Sequence, residues 1–113
     1  MCGRYASSRP PEFVARLFHT VNRLPNVAPS WNIAPSQEAM VVRRHPDTGE
    51  RHLDLLKWRR LPYWTKEPTK AQRPINAPSD TANVRSDTAV KSGMFRGALA
   101  RRRCIVHADA FYE

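Results

Sequence analysis

The chain has 113 residues and a net charge of +9, from 19 Lys and Arg against 10 Asp and Glu. That length allows one domain and no more, and ten prolines with a low mean hydropathy predict many loops around a thin core. We expect no membrane span and no secretory leader, since Met1–Tyr5 opens without an apolar run. Two cysteines, Cys2 and Cys104, do not make a disulfide framework.

Ser8-Arg9-Pro10-Pro11-Glu12 reads as a helix start, with Ser8 as the cap and the prolines in the first turn. Phe13, Val14, Leu17, Phe18 and Val21 then recur at helical spacing, which predicts a helix whose apolar face is core. Leu24–Pro35 holds three prolines and two asparagines and reads as an irregular connection. Ala39–Val42 is a β-type run and His45–Gly49 a turn. His52–Leu55 alternates like a half-buried strand, so the pair predicts a β-hairpin. Pro62, Pro68, Pro74 and Pro78 break up the stretch from Trp58 to Pro78. Met94–Leu99 predicts one or two helical turns, Arg101–Arg103 a solvated helix end, and Cys104–Val106 the opening of a buried strand. The final Phe111-Tyr112-Glu113 carries no terminator signal. One internal echo, Asn76–Ala82 against Asn83–Ala89, reads as a small local duplication.

The charge alone fits nucleic acid, an acidic protein or an anionic membrane. Cys104 and His107 form a lone ligand pair without a second at zinc spacing, so the expectation is a reduced, cytoplasmic protein with no metal and no cofactor. The chemistry-bearing feature is Cys2. A small second residue permits removal of Met1, leaving an α-amine and a thiol on adjacent carbons. Their ordinary pKa values, about 7.7–8.0 and about 8.5, leave part of the amine unprotonated and nucleophilic at neutral pH. An aldehyde is the matching electrophile: the amine condenses to an imine and the thiol closes a thiazolidine. Arg4 would favour the thiolate and the neutral amine through its charge.

Met1-Cys2-Gly3-Arg4-Tyr5, Trp31-Asn32-Ile33-Ala34-Pro35, Asn83-Val84-Arg85-Ser86-Asp87-Thr88, Arg103-Cys104-Ile105-Val106 and Ala108-Asp109-Ala110-Phe111-Tyr112-Glu113 come in one order that resembles the SOS response-associated peptidase (SRAP) family. The likeness runs over nearly the whole chain and takes in the N-terminal portion of the family's domain. It implies an α+β fold, mostly antiparallel sheet curled toward a barrel with flanking helices, incomplete here because the chain ends mid-domain. It also implies an enzyme of the SOS DNA-damage response, described both as a thiol autopeptidase and as a protein that crosslinks its N-terminal Cys to abasic sites in single-stranded DNA. On that reading Cys2 is the nucleophile, Asn83 positions it, and Glu113 is the catalytic acid. Asn76, in Pro74-Ile75-Asn76-Ala77, is the alternative to Asn83 but lacks the following Arg. Arg4 and Arg85 would bind phosphates and Trp64 would stack on bases, with Trp31 and Trp58 in the core.

The partner implied is single-stranded DNA, with no membrane and a monomeric protein. The family's catalytic His lies in the half that is absent, and His107 stands where relatives usually carry Pro. Arg59 replaces a common Gly. Two further readings remain open on the residues alone: a non-catalytic basic protein that holds single strands, and an inactive truncated copy.

Overall fold

A computed structural model describes residues 3–59 and 85–112 of the chain. These fall into two compact units, residues 3–58 with 103–112, and residue 59 with 85–102.

The first unit opens on strand β1 (Arg4–Ser7), followed by helix α1 (Pro11–Phe18). Pro10 takes the cap position and Pro11 the first turn, where a missing N–H costs nothing. Ser8 is not the cap. Its N–H and hydroxyl both donate to Asp109 Oδ2, at 2.6 and 2.9 Å, so the side chain is committed to the far end of the sequence. The helix ends where His19 turns left-handed, φ 54°.

Of the expected apolar face of α1, Val14 alone is fully buried, with Phe18 packed at the edge of its cluster. Leu17 and Val21 are largely exposed, 54% and 64%. Phe13, 39% exposed, lies instead beneath the Arg9 guanidinium, 5.0 Å from its ring centre, and edge-on to His107. Eight residues give two turns, too short for a broad buried stripe.

Strands β2 (Ser30–Ile33), β3 (Glu38–Arg44) and β4 (Arg51–Lys57) follow. β2 falls inside the stretch expected to be irregular. The expected hairpin is β3–β4, paired from Glu38↔Lys57 to Arg44↔Arg51. Gly49 supplies the positive φ of its turn, +72°, which other residues adopt only with strain. Strands β5 (Cys104–Val106) and β6 (Ala110–Tyr112) complete two antiparallel three-stranded sheets, ordered β2-β1-β6 and β4-β3-β5. The fold is thus α+β, but among the described residues the sheets are separate and do not close into a barrel. β5 is also less buried than its sequence predicts, with Ile105 52% and Val106 47% exposed. Among the described residues it pairs along one edge only, with β3, whereas α1 packs on β4.

Two small cores result. Val14, Met40, Val42 and Leu53 form one, between α1 and the hairpin; Tyr5, Ile33 and Ala39 form the other, with Trp58 packed against it. Burying each aliphatic side chain contributes on the order of 1.5–3 kcal/mol. The outer edge of β4 is closed by side-chain bonding. Asn22 Oδ1 accepts the Leu53 N–H at 2.8 Å, Nδ2 donates to the Leu53 carbonyl at 3.0 Å, and the Val21 N–H meets the Arg51 carbonyl. One amide therefore does what a neighbouring strand would do.

The second unit contains α2 (Ser86–Ala89) and α3 (Arg96–Arg101). α3 covers the later part of the expected turns, and Arg101 and Arg102 are exposed at its end, as a charge run should be. The proline-rich stretch beyond Arg59, and Asn76 within it, lie outside the described residues. Among those described, no helix is long and apolar enough to cross a membrane.

Replacing Asn22 with Ala leaves both backbone groups of Leu53 without their partners. We expect a loss of about 1–3 kcal/mol, read as a lowered midpoint in chemical denaturation.

Candidate functional site

Sequence reasoning centred the site on the first residues of the chain, and β1 is the middle strand of its sheet. β2 pairs with it on one side and β6 on the other, with Arg4 opposite Tyr112, Tyr5 opposite Phe111 and Ala6 opposite Ala110. The Tyr112 hydroxyl donates to the Trp31 carbonyl at 2.9 Å, linking β6 to β2. Arg4 is exposed, and its guanidinium donates to Asn32 Oδ1 at 3.1 Å. Arg4, Asn32, Trp31 and Tyr112 therefore form one connected group.

Trp31 is 66% exposed, which overturns the expectation that it is core. The cause is a register shift: two steps along β1, from Tyr5 to Ser7, are matched by three along β2, from Ile33 to Ser30. The extra residue breaks the in–out alternation, so Ile33 is buried and Trp31 is not. Trp58 does pack inward, its ring edge-on to Tyr5 at 5.2 Å. Phe111 and Tyr112 are also exposed. No periodicity marks the exposure of Trp31 in the sequence; the bulge behind it exists only in the β1–β2 pairing.

The sheet is tied off at its other end by Asp109. Besides Ser8, its carboxylate meets Arg9 Nε at 3.4 Å and lies 4.0 Å from His107 Nε2, while its N–H donates to the Ala6 carbonyl. The Ser8 N–H above all, with the Ser8 hydroxyl and the His107 charge, holds this carboxyl below the usual carboxylate range. His107 thus has a place in the clamp. Behind β1, burial raises the Tyr5 phenol, with a smaller push from Cys104. Burial also pushes the Cys104 thiol up, against the opposing pull of Arg43. Cys104 is nonetheless surface-exposed on β5, and it lacks the adjacent amine that Cys2 would carry.

Arg85 belongs to the second unit and is described by itself. It caps α2 in an extended conformation, and its exposed guanidinium sits 3.4 Å from Asp87 Oδ1. Cys2, Asn83, Glu113 and Trp64 lie outside the described residues. Among the described residues, no three His, Cys, Asp or Glu side chains group as a metal site requires.

The profile of the SOS response associated peptidase (SRAP) family matches residues 1–113. The chain belongs to this family. The abasic site processing protein YoqW of Bacillus subtilis (strain 168) is 32% identical over 115 residues, covering 100% of this chain and 47% of YoqW. The abasic site processing protein HMCES of Rattus norvegicus is 30% identical over 131 residues, 100% of this chain and 36% of HMCES. HMCES of Gallus gallus is 37% identical over 94 residues, 75% of this chain and 26% of that protein. This SRAP chain thus spans less than half the length of these relatives. No solved structure matches it significantly.

The clamp has a pH signature. A carboxyl whose folded pKa is depressed adds stability that is present above its unfolded value, about 3.9, and lost as pH falls through the folded value. Stability measured by denaturation should therefore drop as pH falls below about 4. Asp109→Asn should be less stable than the parent at pH 7 and show a shallower drop below pH 4.

Proposed function

We propose that this SRAP chain processes abasic sites in single-stranded DNA, as the N-terminal portion of a family domain, with Cys2 as the covalent nucleophile. The observation that carries the reading is the β1–β6 pairing, which sets Arg4 against Tyr112. Cys2 precedes Arg4 by two residues and Glu113 follows Tyr112 directly, so both proposed site residues are near neighbours in sequence of that pair. The names of the relatives supply the substrate: each is called an abasic site processing protein.

The reaction needs no cofactor. With Met1 removed, the Cys2 amine attacks the aldehyde of the ring-opened sugar. A proton from Glu113 helps expel water as the imine forms. The thiol then adds across the C=N bond, sulfur to carbon and proton to nitrogen, closing the thiazolidine. Asn83 orients the amine and sugar. Arg4 and Arg85 attract the backbone phosphates. Trp64 is the proposed stacking surface, and Trp31, exposed beside Arg4, joins it in this role.

The test is adduct formation with an abasic single-stranded oligonucleotide on denaturing gels. The parent and Cys104→Ala should give equal yields of a stable adduct, and Cys2→Ala none. Cys2→Ser keeps the amine but not the thiol, so its adduct should survive only after borohydride reduction. Equal adduct from Cys2→Ala would remove Cys2 from the mechanism; salt-sensitive binding with no stable product from the parent would support a binding-only protein instead.

A further inference from the structure

The far end of the β4-β3-β5 sheet carries a row of arginines. Arg44 and Arg51 are directly opposite in the β3–β4 register. Arg103 immediately precedes Cys104, the β5 partner of Arg43, and so comes next to the Arg44 end of β3. Alternation puts these three on one face of the sheet, the face on which Val42 and Leu53 pack with α1. Like charges set opposite each other across a sheet are destabilising, and this row has them side by side.

Local partners orient Arg44 and Arg51 without neutralising them. Arg51 donates to the Phe18 carbonyl at 3.2 Å, and Arg44 makes a long contact, 3.5 Å, to the Gly49 carbonyl. Among the described residues neither forms an ion pair. The neighbouring acids are Asp47, in the turn, and Glu50, which lies 3.7 Å from His52 Nε2. Arg43, on the opposite face, shows the contrast: its Nε is 2.6 Å from Asp54 Oδ2. One face of this sheet end is thus neutralised by a carboxylate, while Arg44 and Arg51 on the other remain exposed and positive.

We propose that Arg44, Arg51 and Arg103 form an auxiliary site for the phosphodiester backbone of a single DNA strand, remote from the abasic position. Arg44 lies five residues along β3 from Ala39, which packs with Tyr5. That is about 17 Å at the usual rise, a span of several nucleotides of a single strand. The site takes the backbone rather than the bases, so it reads no sequence. It rests on the proposed DNA reading, but it is separable from the covalent step, because non-covalent binding of undamaged DNA suffices to test it.

The experiment measures binding of undamaged oligothymidylate, a 15-mer and a 3-mer, across a salt series. Each lost single-strand phosphate contact lowers the slope of log affinity against log salt by about 0.7. Arg44→Gln/Arg51→Gln should therefore lower the 15-mer slope by about 1.4, leave the 3-mer unchanged, and still unfold cooperatively. Arg44→Lys/Arg51→Lys, which keeps the charge, should retain the parent slope, as should Cys2→Ala. An unchanged 15-mer slope in the folded Gln pair overturns the proposal. So does displacement of the 15-mer by low millimolar inorganic phosphate at constant ionic strength, which would mark a pocket for the free ion. Loss of the covalent adduct with this slope change intact would instead count against the mechanism at Cys2 alone.

Discussion

The pairing of β1 with β6 is the constraint on which the rest depends. It joins residues 4–6 to residues 110–112, more than a hundred positions apart, in one antiparallel ladder. Without it residues 4–6 would belong to a frayed terminus. Asp109 reinforces it at one end through Ser8, Arg9 and its N–H to Ala6. Tyr112 reinforces it at the other by reaching the Trp31 carbonyl. Loop-closure cost grows only slowly with separation, so a ladder between such distant segments needs few extra bonds to persist.

The polar chemistry of the two sheets differs in kind. Around β1, hydrogen bonds hold backbone and side chains in place, and Arg4 is oriented by the neutral Asn32 amide. On the β4-β3-β5 sheet, Asp54 cancels Arg43 while, among the described residues, Arg44 and Arg51 meet only carbonyls. A net charge of +9 is therefore not spread evenly. Part of it is locally balanced, and part is left directed at solvent, where it raises the local concentration of polyanions.

Local signals in the sequence located the elements but not their surroundings. The β3–β4 hairpin was legible because a turn with Gly49 separates two short apolar runs. α1 was legible from Pro10-Pro11 and the spacing of Val14 and Phe18. Ser8 was misread as a cap because its partner, Asp109, is 101 residues away and no local pattern announces it. β2 is hidden in the sequence because only five residues separate Pro29 from Pro35, and the exposure of Trp31 because it follows from a bulge in pairing. β5 is legible as a strand, but its exposed position at a sheet edge among the described residues is not, because apolar residues look alike on either kind of strand. Of the site, the expectation for Cys2 rests on its position together with the ordered family motifs, and those for Asn83 and Glu113 on the motifs; all three lie outside the described residues. The connected group of Arg4, Asn32, Trp31 and Tyr112 needed the fold.

The most direct test is the intact mass of cell-derived protein before and after mixing with an abasic single-stranded oligonucleotide. The account predicts a starting mass without Met1 and a product heavier by the oligonucleotide less one water. A starting mass that retains Met1, or a processed protein that gains no covalent mass, would contradict it.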